Sequence, residues 1–127
     1  MKKMISALAA ALLLAGCGTS AGEPGYRQIT AEEAAEMMKT ESDYIILDVR
    51  TVQEYEEKHI VGAINVPNET IVEESVPELP DKDQLILVYC RSGNRSKQAA
   101  EKLVKAGYTN IVEFGGIGDW TGETAQG

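Results

Sequence analysis

The sequence predicts an α/β domain with a parallel sheet covered by helices on both faces. Three observations carry this. Residues 44–49 and 85–89 are short, continuous apolar runs rich in β-branched residues, the pattern of strands buried on both sides. Segments of helical period lie between and after them. Strands and helices alternate along the chain, as parallel sheets require.

Thr30 opens the first helix, because Thr30-Ala31-Glu32-Glu33 places a glutamate where it can reach back to the cap. Ala31, Ala34, Ala35 and Met38 follow at helical spacing. Strand 44–49 comes next, then a short charged helix over 53–58, a short strand over 63–66 stopped by Pro67, and a short helix within 69–79 interrupted at Pro77. Strand 85–89 leads directly into Cys90. A helix then runs from Arg95 or Ser96 to Ala106 with Ala99, Ala100, Leu103 and Val104 as its apolar stripe, and Gly107 ends it. Strand 111–114 precedes a tight turn over 115–120.

Ahead of this domain, Lys2 and Lys3 form a positive head before an apolar run over 5–15. That run is short for a membrane span and suits a signal-peptide core. It ends in Leu14-Ala15-Gly16-Cys17, which resembles the bacterial lipobox, where the cysteine is lipidated and becomes the new N-terminus. The expected organisation is a signal peptide over 1–16, a small, polar tether over 17–25 carrying lipidated Cys17, and one globular domain over 26–127. A buried N-terminal helix is the plainer alternative. The expected location is extracytoplasmic, lipid-anchored to a bacterial membrane and not spanning it.

The chain carries 12 basic and 20 acidic residues, a net charge of −8, and removal of Lys2 and Lys3 makes it more acidic. Such a balance argues against nucleic acid and against a polybasic grip on lipid. With Cys17 lipidated, Cys90 is a lone thiol in an exported chain, so no intrachain disulfide is expected. Such a thiol is expected to be either buried and inert or exposed and reactive. One histidine and one free thiol make a metal site unexpected, and no cofactor is implied.

The chemistry concentrates in Cys90-Arg91-Ser92-Gly93-Asn94-Arg95-Ser96, between a strand and a helix. A helix N-terminus offers unpaired N–H groups and partial positive charge. Gly93 permits a tight turn in which successive N–H groups converge as an anion nest. Arg91 and Arg95 add positive charge. All of this favours a thiolate, and hence a nucleophile. The plainer reading is a small buried cysteine ending a core strand.

This loop resembles the active-site loop of the rhodanese-like family. Leu47-Asp48-Val49-Arg50 with Glu54-Tyr55, the segment His59-Ile60-Val61-Gly62-Ala63-Ile64-Asn65-Val66-Pro67, and Gly115-Gly116-Ile117-Gly118-Asp119-Trp120 resemble three further signatures of that family, in the right order. The resemblance covers about 26–120. It implies a rhodanese-like fold with a five-stranded parallel sheet flanked by helices on both faces. It also implies sulfur transfer by double displacement: Cys90 takes sulfur from a donor anion such as thiosulfate, holds it as a persulfide, and yields it to cyanide or a thiol. Arg91 and Arg95 are implied as anion-binding groups and the loop N–H groups as the persulfide cradle. Asp48 is expected to pair with Arg95 and fix the loop, with a solvated strand-end acid as the alternative; Arg50 and Glu54 are expected to form a second brace. His59 is implied to be structural.

Two other functions compete. Phosphatase or arsenate chemistry is one: related cysteine phosphatases use a similar loop with five residues between Cys and Arg, whereas only Arg91, Ser92, Gly93 and Asn94 stand between Cys90 and Arg95 here. A non-catalytic, redox or persulfide-relay module handing sulfur to a partner protein is the rival from a different class. One departure from the family is the short segment 121–127 after Trp120, which implies either an early end to the domain or a site wall left open or supplied by a partner.

Overall fold

The computed structural model describes residues 25–72 and 76–127. The expected signal peptide, most of the tether and Cys17 lie outside the described residues. Seven strands and three α-helices follow in the order β1 (Arg27–Gln28), α1 (Ala31–Thr40), β2 (Tyr44–Asp48), α2 (Val52–Glu57), β3 (His59–Ile60), β4 (Ile64–Asn65), β5 (Leu85–Cys90), α3 (Asn94–Lys105), β6 (Ile111–Gly116) and β7 (Thr124–Ala125). Five strands form one sheet in the order β1-β6-β5-β2-β4, every pair parallel.

Period two along the central strands divides the interior into two cores. Ile86, Val88 and Cys90 of β5, with Leu47 and Val49, face Ala99, Ala100 and Leu103 of α3. Leu87 and Tyr89 of β5, with Ile46, Val112 and Phe114, face Ala31 and Ala34 of α1. Helices on both faces therefore follow from central strands that are apolar at every position but Asp48 and Glu113.

Local signals set the helix starts. Thr30 and Glu33 make the expected capping box, with Thr30 N to Glu33 Oε1 at 2.9 Å and Glu33 N to Thr30 Oγ1 at 3.0 Å. A second capping box, Thr51 with Glu54, opens α2 one residue before the expected start. Helix α3 begins at Asn94, also slightly early, because Gly93 in the left-handed region turns the chain directly into it (φ 106°).

Two expectations need correction. Within 69–79 the described residues form no α-helix; a single 3₁₀ turn, Asn68–Thr70, takes its place. Strand β6 continues past Phe114 through the paired glycines to Gly116. After Trp120, Thr124–Ala125 pairs antiparallel with His59–Ile60, and the Gly127 N–H donates to Glu56 O at 2.8 Å.

Candidate active site

Strand β5 delivers Cys90 to the carboxyl end of the sheet, where ligand sites of parallel sheets gather. The β5–β6 register shifts between Val88 and Cys90, so Cys90 lies opposite Gly116. The loop crosses this glycine closely: a Cβ on Gly116 would stand 2.1 Å from Arg91 O. The chain then turns at Gly93 and enters α3.

The turn wraps the sulfur. Gly93 N donates to Cys90 Sγ at 2.9 Å, and Ser96 Oγ lies 3.4 Å from Sγ. Cys90 is 1% exposed. Burial pushes the thiol up, but hydrogen bonds from the Ser96 hydroxyl and from the N–H groups of Ser96, Gly93 and Ser92 outweigh it and hold the thiol below its ordinary value. Of the two expected placements, buried or exposed, the structure has the thiol buried, beside groups that favour its anion. Its environment is set by the nest and a hydroxyl more than by arginine charge.

The two arginines differ. Arg95 binds Glu54 of α2 in a forked pair, Nη1 to Oε1 at 2.8 Å and Nη2 to Oε2 at 3.1 Å. The Arg95 guanidinium is the main cause that holds the Glu54 carboxyl down at about 2, against burial that raises it. Arg91 is exposed, and its side chain has no hydrogen bond or ion pair with the described residues. Ser92 and Asn94 are also exposed, while Ser96 is buried.

Asp48 does not pair with Arg95. It is fully buried and receives Arg50 Nη2 at 2.8 Å, Arg50 N at 2.9 Å and the Tyr89 hydroxyl at 2.6 Å. The expected partners are thus exchanged, Asp48 with Arg50 and Glu54 with Arg95. Geometry explains it: Asp48 leaves β2 toward the α1 face, whereas the half-buried side of α2 carries Glu54 to Arg95. The two braces act in series, since Arg50 Nη2 also donates to Lys58 O at the end of α2, the helix that bears Glu54. His59 stacks on Tyr55 with ring centroids 3.8 Å apart, and its Nδ1 lies 2.8 Å from Tyr55 O, a structural position.

One site residue escaped the sequence reading. Glu113, 2% exposed in β6, receives Ser96 Oγ at 2.6 Å and Gly115 N at 2.8 Å. The available signal was an acid inside an apolar strand, two residues before a glycine pair. Among the described residues, no group of three or more His, Cys, Asp or Glu is placed to hold a metal.

Known proteins are similar to this chain in sequence and fold. Residues 30–123 match the family model described as a rhodanese-like domain. The chain is 40% identical over 73 residues to the thiosulfate sulfurtransferase PspE of Escherichia coli, covering 58% of this chain and 70% of the relative. It is 38% identical over 96 residues to the thiosulfate sulfurtransferase GlpE of Coxiella burnetii, covering 75% and 87%. A solved structure described as a rhodanese with anions from E. coli superposes with a TM-score of 0.61 at 36% identity, covering 66% of this chain and 99% of that one. With a loop that cradles one buried sulfur at the end of a five-stranded parallel sheet, the chain belongs to the rhodanese-like domain family, as a sulfurtransferase of the rhodanese type.

Proposed function

We propose that Cys90 carries sulfane sulfur as a persulfide between a thiosulfate-like donor and a thiophilic acceptor such as cyanide or a thiol. The thiolate attacks the outer sulfur of the donor; the new S–S bond forms as the donor's own S–S bond breaks, and sulfite leaves with that electron pair. The acceptor then attacks the outer sulfur and releases the thiolate. The observation that carries this reading is the turn of the loop around Sγ, with Gly93 N donating to it at 2.9 Å and Ser96 Oγ 3.4 Å away. A loop that closes this tightly on one atom suits a sulfur anion better than a whole phosphate. The unpartnered Arg91 provides the charge that draws the donor in. The names of PspE and GlpE support thiosulfate as a donor.

The test is the intact mass of the domain after thiosulfate treatment. One added sulfur is expected in the wild type and none in Cys90→Ser; an unmodified wild-type mass refutes the reading.

We propose further that the protein is exported and held at a membrane by lipid on Cys17, on the strength of the lipobox-like Leu14-Ala15-Gly16-Cys17. Labelled fatty acid should attach to the wild type and not to Cys17→Ala. An unprocessed, unlabelled chain in the cytoplasm removes the anchor.

A further inference from the structure

Three buried groups stand in line at the carboxyl end of the sheet. Cys90 Sγ lies 3.4 Å from Ser96 Oγ, and Ser96 Oγ lies 2.6 Å from Glu113 Oε2. Cys90, Ser96 and Glu113 are 1%, 0% and 2% exposed. A hydroxyl has one hydrogen to give. Ser96 Oγ also lies 3.0 Å from Gly93 O and 3.5 Å from Gly115 O, but the carboxylate at 2.6 Å is the nearest and the only charged acceptor. While Ser96 donates to Glu113, it faces the sulfur with lone pairs and accepts the Cys90 S–H.

Glu113 itself is poorly compensated for a buried acid. Its remaining hydrogen bonds are Gly115 N at 2.8 Å and a long contact from Gln28 Nε2 of β1 at 3.5 Å. None of the ion pairs among the described residues includes it. Its Oε2 is thus one hydroxyl away from the sulfur, whose anion the surrounding N–H groups favour.

We propose that Glu113 is the positioning residue that takes the Cys90 proton through Ser96 and returns it at the end of the sulfur-transfer cycle. In the forward shift the S–H proton passes to Ser96 Oγ while the Ser96 proton passes to Glu113. The products are a thiolate, a hydroxyl now turned toward it, and a neutral carboxylic acid. The net charge of the three groups is unchanged, so the site ionises its nucleophile without exporting a proton through a closed loop. When the acceptor has removed the outer sulfur, the reverse shift restores the thiol. The charged groups that face the pair are Arg95, which interacts with Cys90 across the loop, and Tyr26, which interacts with Glu113. On the sulfur side Arg95 is held by Glu54, and Arg91 is exposed. On the carboxylate side Tyr26 adjoins β1, and burial, Glu101 and Glu113 all keep its phenol protonated.

The inference builds on Cys90 as the sulfur carrier, but its test needs no sulfur donor. A thiol and an acid sharing one proton titrate in two steps that belong to the pair. The rate of Cys90 alkylation by iodoacetamide should therefore rise with pH in two steps in the wild type. Glu113→Gln retains an acceptor for Gly115 N–H but cannot take the proton, so its profile should collapse to one step. Glu113→Asp should restore two. Turnover of thiosulfate by Glu113→Gln should fall roughly 10²-fold at neutral pH. A glutamate that only holds the loop in place leaves the number of steps unchanged. Infrared difference spectra of wild type against Cys90→Ser, taken between the two steps, need no Glu113 variant and should show a protonated carboxyl in the wild type alone. A single step in the wild type, two steps surviving in Glu113→Gln, or no protonated carboxyl overturns the proposal. Loss of the added sulfur from the intact mass, with the two-step profile retained, overturns the carrier reading instead.

Discussion

Gly116 leaves no room for a side chain. A Cβ there would meet Arg91 O at 2.1 Å, the Arg91 carbonyl carbon at 2.7 Å and Ser92 Cα at 2.9 Å, all of them backbone atoms. Nothing flexible can give way, so Gly116→Ala must lift the loop from β6. Since misplacing a catalytic group by about 1 Å costs on the order of 10²-fold in rate, thiosulfate turnover should fall by at least that factor with the circular dichroism of the wild type kept. Cys90 offers a second residue-scale check. Its lowered pKa means that the thiolate stabilises the fold. This contribution is complete above the unfolded thiol's pKa, about 8.5, and is lost as pH falls through the lower folded value. The stability gap between wild type and Cys90→Ser should therefore widen as pH rises through that window, as measured by urea midpoints at several pH values. A gap independent of pH means that the loop does not favour the anion.

At the scale of elements, α2 is a short helix that fastens the loop from the side. It starts at a capping box and ends where Arg50 grips Lys58 O, and in between it presents Glu54 to Arg95. Glutamine can still complete a capping box, so Glu54→Gln removes the ion pair while leaving the helix start. A partly exposed pair contributes on the order of 1 kcal/mol or less, and the larger effect should be on the loop, as faster amide exchange at 91–95. The sign with pH follows from the Glu54 carboxyl, held at about 2 against an ordinary 4.5. Its stabilisation is fully present above the ordinary value and is lost as pH falls toward 2. Amide exchange at the loop, corrected for its intrinsic pH dependence, should accelerate over that range in the wild type and not in Glu54→Gln. The length of the loop matters in the same way. One residue inserted between Gly93 and Arg95 moves several N–H donors from the sulfur together, so sulfur transfer should fall far more than in Asn94→Ala, which leaves the backbone donors in place. Equal turnover in the folded insertion variant removes the size argument against phosphatase chemistry.

For the whole molecule, the sheet is the wall between two cores, and the site lies where both reach its carboxyl end. Leu103 of α3 is fully buried beneath the loop-bearing helix. Leu103→Ala should destabilise by about 2–5 kcal/mol, read as a lower urea midpoint. Tyr89 ties the other core together, giving its hydroxyl hydrogen to Asp48 and accepting the Ile60 N–H at 3.0 Å. Tyr89→Phe leaves a buried carboxylate and a buried N–H short of a partner, which costs about 1–3 kcal/mol for an unsatisfied group. Because the Asp48–Arg50 brace leads through α2 to Arg95, this change should also weaken turnover, whereas Leu103→Ala should reduce stability first. Equal effects of the two on activity, once stability is matched, would remove the serial brace.

Much of this was legible along the chain because it is local. Strands 44–49 and 85–89 announced themselves by continuous apolar runs, α1 by the Thr30–Glu33 box, and the nest by Gly93 between a strand and a helix. Cys90 stood out along the chain because a thiol at that junction meets N–H groups that favour its anion. What escaped depends on which face of the sheet a side chain leaves and what arrives there from a distant element. Asp48 and Glu54 are both acids near Arg50 in sequence, and only the pleat of β2 and the direction of α2 assign one to Arg50 and the other to Arg95. Glu113 reads as part of an apolar strand until β6 lies beside β5 and α3 sets Ser96 between it and the sulfur. The strand β7 is two residues long and carries no pattern of its own; its pairing with β3 arises from the fold. Composition and period specify elements and the chemistry carried on one loop, whereas the sharing of protons and charges among groups tens of residues apart is decided by packing alone.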